Sequence, residues 1–451
     1  MRHVKILITW IFVHVILLNI HAQVVTDYQL RFELEEGVGN AHVEVSFNIA
    51  ADAPDTVWMN FGGGLQTQGF VYTEDEQTDS TFHIVIKCNN IKHKIIDSRK
   101  QRIGFVPNHG LISTVFMSYD YCNMSAAIEY PHPTMVIWDT GASEFYYPFV
   151  THSQMDIRAE FVVPDGVEVM ASYPVRKRGN SYILEEKVIS SRSLRMAFLQ
   201  KKYYSVDTIQ IPYAVPVYRL KGYNIDAQLK NIESETPLIM DFYAKAYKEP
   251  YISPKHCVRP LQAIIFGYGG GLQNHVNFIS VPLFSSIEMD TLSRSPSLAE
   301  YSPSLAHELG HRWISSDNLF ISKGQPGAYF IVESLNEFMT LMCFREINHH
   351  RYLRRMANRR KSYADIKGTK RDRALFDMRR NNNFDVVYAK GPLILDEFAQ
   401  RIGYDEMVRI IAEFYRRYDL KPGLRYEDFI STVADLHPEI ANELDQRLRS
   451  I

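Results

Sequence analysis

The stretch His307-Glu308-Leu309-Gly310-His311 constrains this chain more than any other. On a helix, two histidines four residues apart stack one turn apart, about 6 Å along the axis, on nearly the same face. Both imidazoles can then reach one small cation. Glu308, beside the first histidine, can address a water on that cation. The pentad is the H-E-x-x-H arrangement, so it proposes Zn²⁺, two ligands and a general base together. Its context agrees. Ser302-Pro303 reads as an N-cap followed by proline in the first helical turn, and the helix should run to Ser315 with Leu305, Leu309, Trp313 and Ile314 behind the polar face. The competing reading is an ordinary helix with two surface histidines.

Composition narrows the setting. With 451 residues, 46% of them hydrophobic, the chain can bury a large core, and two or more domains are expected. The formal charge of −2 carries no basic bias towards nucleic acid and no acidic bias towards disorder. Cys88, Cys122, Cys257 and Cys343 are scattered without a C-x-x-C pair, which argues against a zinc ribbon and a disulfide framework.

Residues 1–22 read as a signal peptide. Arg2, His3 and Lys5 precede a largely apolar run from Ile6 to Ile20, and His21-Ala22-Gln23 offers a small residue for cleavage. That run is somewhat short for a membrane-spanning helix. The expectation is an exported protein, periplasmic or extracellular, without stable membrane insertion after cleavage.

From residue 23 to about 207 the pattern is that of strands, an all-β domain. Alternating runs include Tyr28–Leu34, His42–Ile49, Phe82–Lys87 and Asp156–Val163, with turns at Glu36-Gly37, Asn108-His109-Gly110, Pro164-Asp165-Gly166 and Arg178-Gly179-Asn180. Residues 208–451 mix strands and helices. Ile225–Tyr247 reads as helical, with Pro237 expected to break it in two. Short strands are expected at Gln262–Phe266 and His275–Pro282, around the glycine-rich turn 267–271. Helices should follow at Ser302–Ser315, Gly327–Asn348, Pro392–Ile402, Tyr404–Tyr418, Tyr426–Ala434 and Pro438–Ser450. Residues 351–380 hold twelve Lys or Arg against three Asp. A solvated helix face and loop is the favoured reading of that run, with an anionic partner as the alternative.

Zinc needs a third protein ligand and an open position. The segment from Tyr329 to Phe338 is largely apolar, but Glu333 and Glu337 interrupt it. A carboxylate in such surroundings is costly unless it is paired or bound to metal. The two glutamates share a helix face, so spacing alone leaves both open as the ligand.

Here the chain resembles the M1 family of gluzincin metallopeptidases, which includes the zinc aminopeptidases and leukotriene A4 hydrolase. The resemblance is carried by His307-Glu308-Leu309-Gly310-His311-Arg312-Trp313 followed by Ile331-Val332-Glu333-Ser334-Leu335-Asn336-Glu337-Phe338. It implies Glu333 as third ligand, with Ser334 in place of the family's glycine and a spacer three residues longer than usual. Extra loop residues cost little. Tyr388-Ala389-Lys390-Gly391 resembles the family's Tyr-x-Lys-Gly motif. That match implies that Tyr388 donates a hydrogen bond to the tetrahedral oxyanion, a contribution of several kcal/mol in a dry site. Tyr146-Tyr147-Pro148, Phe161-Val162-Val163-Pro164 and Met196-Ala197-Phe198 are similar to parts of the family's β-domain, and residues 398–450 to the helical end of its catalytic domain. No counterpart of the family's large C-terminal domain follows, which is expected to leave the cleft more open on one side.

One departure bears on specificity. Gly270-Gly271-Leu272-Gln273-Asn274 stands where the family has Gly-x-Met-Glu-Asn, an edge strand that aligns the substrate and binds its α-amine through the glutamate. Gln273 can accept a hydrogen bond but carries no charge, and a charge-assisted bond is roughly twice as strong as a neutral one. The implied fold is an N-terminal all-β domain followed by a thermolysin-like domain of mixed β-sheet and helices. The implied activity is a secreted one-zinc peptidase with relaxed amine recognition, acting on peptides or proteins and not on nucleic acid. A peptidase for internal bonds or blocked ends, and a non-catalytic peptide-binding protein, are its rivals. These motifs carry no signal of oligomeric state.

Overall fold

A computed structural model of the chain describes residues 24–36, 40–60, 71–72, 83–97, 102–122, 135–138, 148–150, 155–171, 173–188, 194, 196–211, 213–222, 225–249, 263–267, 273–274, 278–282, 301–314, 325–378, 383–419 and 424–451. The expected signal peptide, and Gly270, Gly271 and Leu272, lie outside them. The chain divides into two compact units, with the border between Leu199 and Gln200. That border precedes the one expected near 207 because Tyr204–Ile211 pairs with Tyr213–Leu220, inside the second unit's sheet.

In the first unit the strands are β1 (Val25–Leu34), β2 (Asn40–Ile49), β3 (Val57–Asn60), β4 (Val71–Tyr72), β5 (His83–Asn89), β6 (Ile91–Asp97), β7 (Arg102–Pro107), β8 (Ser113–Cys122), β9 (Met135–Trp138), β10 (Met155–Val162), β11 (Val167–Ala171), β12 (Arg176–Arg178), β13 (Ser181–Val188) and β14 (Met196–Gln200). Among the described residues, eight of them form a sheet in the order β12-β13-β10-β1-β2-β8-β5-β4. Strict alternation builds it: every second residue of β2, from Ala41 to Ile49, is buried and its neighbours are not. Phe32 of β1 stacks on Phe198 of β14 at 5.6 Å, which ties the large sheet to the small sheet β11-β14-β9 through one core. The turns at Gly110, Gly166 and Gly179 carry φ of 79°, 79° and 63°, a backbone state that glycine adopts without strain.

Among the described residues, the second unit opens with a five-stranded sheet. Its strands are β15 (Tyr204–Ile211), β16 (Tyr213–Leu220), β17 (Ala263–Gly267), β18 (Gln273–Asn274) and β19 (Phe278–Pro282), in the order β15-β16-β17-β19-β18. β16, β17 and β19 run parallel, with Val217 opposite Ile264 and Ile264 opposite Ile279. Ala263, Ile264 and Ile265 are all fully buried, as a strand covered on both faces requires. β18 is antiparallel to β19 and forms the edge among the described strands.

The helices are α1 (Asp226–Tyr247), α2 (Tyr301–Gly310), α3 (Leu335–Ile347), α4 (His349–Ala364), α5 (Gly391–Ile402), α6 (Tyr404–Tyr418), α7 (Tyr426–Leu436) and α8 (Pro438–Arg449). Two π-helical turns precede α3 and α5: π1 (Phe330–Ser334) and π2 (Val386–Lys390). Pro237 does not break α1, contrary to expectation; the helix is continuous through it. A proline there costs a hydrogen bond, but Ile232, Ile239, Met240 and Tyr243 are buried along the same helix, and packing of an apolar face stabilises a helix more than local propensity does. α4 lies in the basic run. Tyr352 and Met356 form its buried stripe, and Arg355 and Arg359 share that inner face rather than facing solvent. For these two arginines the solvated reading of the run does not hold.

Candidate metal centre

α2 carries His307 and Glu308, but it ends at Gly310, five residues before the expected Ser315. The turn then tightens. Arg312 N–H bonds to Leu309 O and Trp313 N–H to Gly310 O, while His311 N–H still reaches His307 O at 3.3 Å. His311 therefore keeps its place one turn above His307, and the two rings meet edge to face with centroids 4.7 Å apart. Trp313 and Tyr243 stack at 5.3 Å nearby, and Tyr243 donates its hydroxyl to Ala306 O. Asn336 of α3 donates to His307 O at 2.7 Å. Gly310 permits this fit, since a Cβ there would come within 2.7 Å of the Tyr243 hydroxyl.

Glu333 stands on π1, where Leu335 N–H bonds to Phe330 O in the five-residue pattern of a π-turn. Such turns are rare and often sit at functional sites. Glu333 Oε2 lies 3.2 Å from His307 Nε2 and 3.3 Å from His311 Nε2. The other ring nitrogens are engaged elsewhere. His307 Nδ1 donates to Glu337 Oε2 at 3.1 Å, and His311 Nδ1 donates to Ile314 O at 2.8 Å. Both acceptors take a proton from Nδ1, so Nε2 is the atom of each ring that faces Glu333 and would meet a metal ion.

These separations test whether a metal fits. A tetrahedral Zn²⁺ with bonds of about 2.1 Å holds its ligand atoms about 3.4 Å apart. A charge-assisted N–H···O bond would be about 2.7–2.9 Å. The two distances to Glu333 match a tetrahedron's edges better than a hydrogen bond, and two imidazoles with one carboxylate are a donor set that Zn²⁺ takes. Glu308 also offers an oxygen within 4.8 Å of a nitrogen on each imidazole. Spacing left Glu333 and Glu337 open; the structure puts Glu333 against both Nε2 atoms and Glu337 behind His307.

Tyr388 lies on π2, where Gly391 N–H bonds to Val386 O in the same pattern. Its hydroxyl donates to Glu333 Oε2 at 2.9 Å, the oxygen that faces both histidines. Phe384, largely exposed, stacks against its ring at 5.6 Å. The two π-turns are tied together: Ser334 Oγ donates to Val387 O at 2.6 Å. Lys390 is buried and donates to Asp372 Oδ1 at 2.9 Å, Arg373 O at 2.9 Å and Ser450 O at 3.1 Å, so the lysine beside Tyr388 anchors π2. Of the segment 270–274, the described pair Gln273-Asn274 forms edge strand β18, which lies against α2.

The charges are strongly coupled. Burial opposes a charge on His307, but hydrogen bonds to Glu333 and Glu337 outweigh it and raise its pKa to about 9. Burial likewise opposes charge on His311, and Glu333 raises its pKa. Burial would raise Glu333, yet the two histidines hold it well below the usual carboxylate range. Burial would raise Glu337 too, and Arg355 and Arg359 keep it ionised. Sequence reasoning missed these arginines, although Tyr352, Arg355, Met356 and Arg359 follow a helical stripe and so share a face. It also missed Ser334 as a donor.

No family model matches the sequence, and no curated protein matches it. Solved structures do. An M1 zinc metallopeptidase from Deinococcus radiodurans superposes with a TM-score of 0.65 at 12% identity, over 95% of this chain and 94% of that one. A mutant of an M1 zinc metallopeptidase from the same organism, bound to the substrate Tyr-Ser-Ala, gives a TM-score of 0.66 at 12% identity, over 95% and 94%. A two-domain M1 zinc metallopeptidase mutant bound to L-arginine gives 0.66 at 12% identity, over 95% of each chain. The fold, mixed sheets with helices, is that of the M1 zinc metallopeptidases.

The contact between the two π-turns yields a packing prediction. A Cβ on Gly391 would fall 2.6 Å from Ser334 Cβ. Gly391→Ala should therefore cost about 1–3 kcal/mol by overpacking. Adding Ser334→Gly should return part of that loss, and a double-mutant cycle by urea unfolding measures the coupling. Additive effects would show that the two residues do not touch.

Proposed function

We propose that this protein is an exported zinc metallopeptidase, an aminopeptidase with relaxed recognition of the substrate's amino end, on a thermolysin-like second domain. One observation carries the reading: Glu333 Oε2 faces both Nε2 atoms at tetrahedral-edge distances while both Nδ1 atoms are engaged elsewhere. In this reading His307, His311 and Glu333 hold one Zn²⁺. Zinc bound there supplies Lewis acidity towards water and the scissile carbonyl. Glu308 takes the proton of the attacking water and passes it to the leaving amine. Tyr388 turns its hydroxyl from Glu333 to the developing oxyanion. The outer edge of β18, unpaired among the described strands, pairs with the substrate backbone as an added strand, with Gln273 near the substrate's amino end. The Tyr-Ser-Ala and L-arginine bound by structural neighbours support a peptide-like ligand. Export rests on the basic and apolar N-terminal segment. No helix among the described residues is long and apolar enough to cross a membrane.

The division of labour is testable. Glu308→Gln should retain stoichiometric zinc and abolish peptide hydrolysis. Tyr388→Phe should retain zinc and lower kcat about 10²–10³-fold, the usual cost of one oxyanion donor. Loss of metal from Glu308→Gln, or full activity in Tyr388→Phe, would contradict these roles.

Metal uptake should depend on pH. With a pKa of about 9, His307 carries a proton in the metal-free site at pH 8, and zinc must displace it. Apparent zinc affinity should then fall about tenfold per pH unit as pH drops below that value, while one proton competes. Calorimetric titration in buffers of different ionisation enthalpy counts the released proton. Heats independent of buffer at pH 8 would disprove the exchange.

The uncharged Gln273 favours a second reading, in which blocked ends or internal bonds are also cleaved. The assay is kcat/KM for a matched pair of peptides, free and N-acetylated. Gln273→Glu should shift preference towards the free amine by about 1–3 kcal/mol, through an added charge-assisted bond and an unpaired carboxylate against neutral ends. An unchanged ratio would remove residue 273 from amine recognition.

A further inference from the structure

Glu337 is fully buried, and every acceptor position on it is used. Arg355 grips it with both ends of a fork, Nε to Oε1 at 2.7 Å and Nη2 to Oε2 at 2.7 Å. Arg359 Nε adds a bond to Oε1 at 3.0 Å. His307 Nδ1 completes the set on Oε2 at 3.1 Å. Each oxygen thus accepts two hydrogen bonds, and the carboxylate has one orientation open to it. A planar guanidinium bound in two places fixes the carboxylate plane as well as its position.

The two imidazoles are therefore held by different means. His311 is pinned by the backbone carbonyl of Ile314, three residues away in its own turn. His307 is pinned by a carboxylate on α3, and that carboxylate by two arginines one turn apart on α4. Both arginines are mostly buried, with side chains 14% and 24% exposed, so solvent does little to loosen the fork. The neighbouring Arg360 is 65% exposed and approaches Asp396 instead.

We propose that Arg355 and Arg359 are positioning residues of the metal site. They act through Glu337 to set the tautomer and ring orientation of His307, so that zinc affinity depends on how α4 is seated. Partners of a ligand histidine's far nitrogen commonly tune affinity 10–100-fold. The proposal rests on the zinc reading above and assigns part of the basic run a role inside the protein, not towards an external anion.

The test is zinc affinity by competition with a chelator, read beside thermal unfolding and the absorption spectrum of the cobalt-substituted protein. Arg355→Gln combined with Arg359→Gln should weaken zinc about 10–100-fold and shift the cobalt spectrum. Arg359→Lys, which keeps the charge and one donor, should recover most of the affinity lost in Arg359→Gln. Arg360→Gln should match the wild type. If the double variant does not fold, Arg359→Gln alone carries the test, with about tenfold weaker zinc expected. Wild-type affinity in folded arginine variants, or equal weakening in Arg360→Gln, overturns the proposal. A wild type that binds no zinc overturns the zinc reading as well, which separates the two failures.

Discussion

The site depends on one arrangement: a buried carboxylate oxygen standing equally far from two imidazole nitrogens. A carboxylate taken out of water is expensive, and so is an imidazole whose lone pair has no partner. His307 and His311 offset the cost for Glu333 by the charge they take up beside it, and Glu333 raises the pKa of both in return. The surroundings then have to hold them there. Asn336 and Tyr243 bond to the carbonyls near the end of α2, and Ile314 O and Glu337 occupy the rear nitrogens. What results is a Glu333 oxygen facing both Nε2 atoms, held in place by these bonds from behind.

Two π-turns supply the geometry that regular helices do not. Glu333 and Tyr388 each lie in a turn closed by a five-residue hydrogen bond. A π-turn leaves backbone groups out of the usual ladder, and those groups need partners. Ser334 meets part of that need by donating to Val387 O, and Lys390 ties π2 to Asp372 and to the chain's last helix region through Ser450 O. The residue that departs from the family's glycine, Ser334, thus joins the two segments that carry the proposed third ligand and the proposed oxyanion donor.

Much of this was legible in the sequence where the signal is local. The alternation from Ala41 to Ile49 marked a half-buried strand, and the pentad at residue 307 marked a helix with two converging histidines. Other features were misread because the deciding energy is tertiary. Pro237 argued for a break, but the buried face of α1 carries the helix through it. The border expected near 207 falls within Tyr204–Ile211, a strand whose hydrogen bonds belong to the second unit's sheet. The basic run looked solvated, because charge count does not reveal which face of α4 turns inward.

The sequence by itself determined the candidates: the pentad, two glutamates in an apolar helix, a tyrosine beside Lys-Gly, and the glutamine at 273. These are properties of residue type and spacing, and helical period alone brings His307 and His311 together. Only the tertiary structure shows which of the two, Glu333, faces both Nε2 atoms. Both glutamates lie on one helix face, and their separation in role comes from which imidazole nitrogen each meets, which depends on how π1 and α3 pack against α2. The same holds for Arg355 and Arg359. Their contact with Glu337 joins residues eighteen and twenty-two positions apart, across two helices, and no local rule sets that distance.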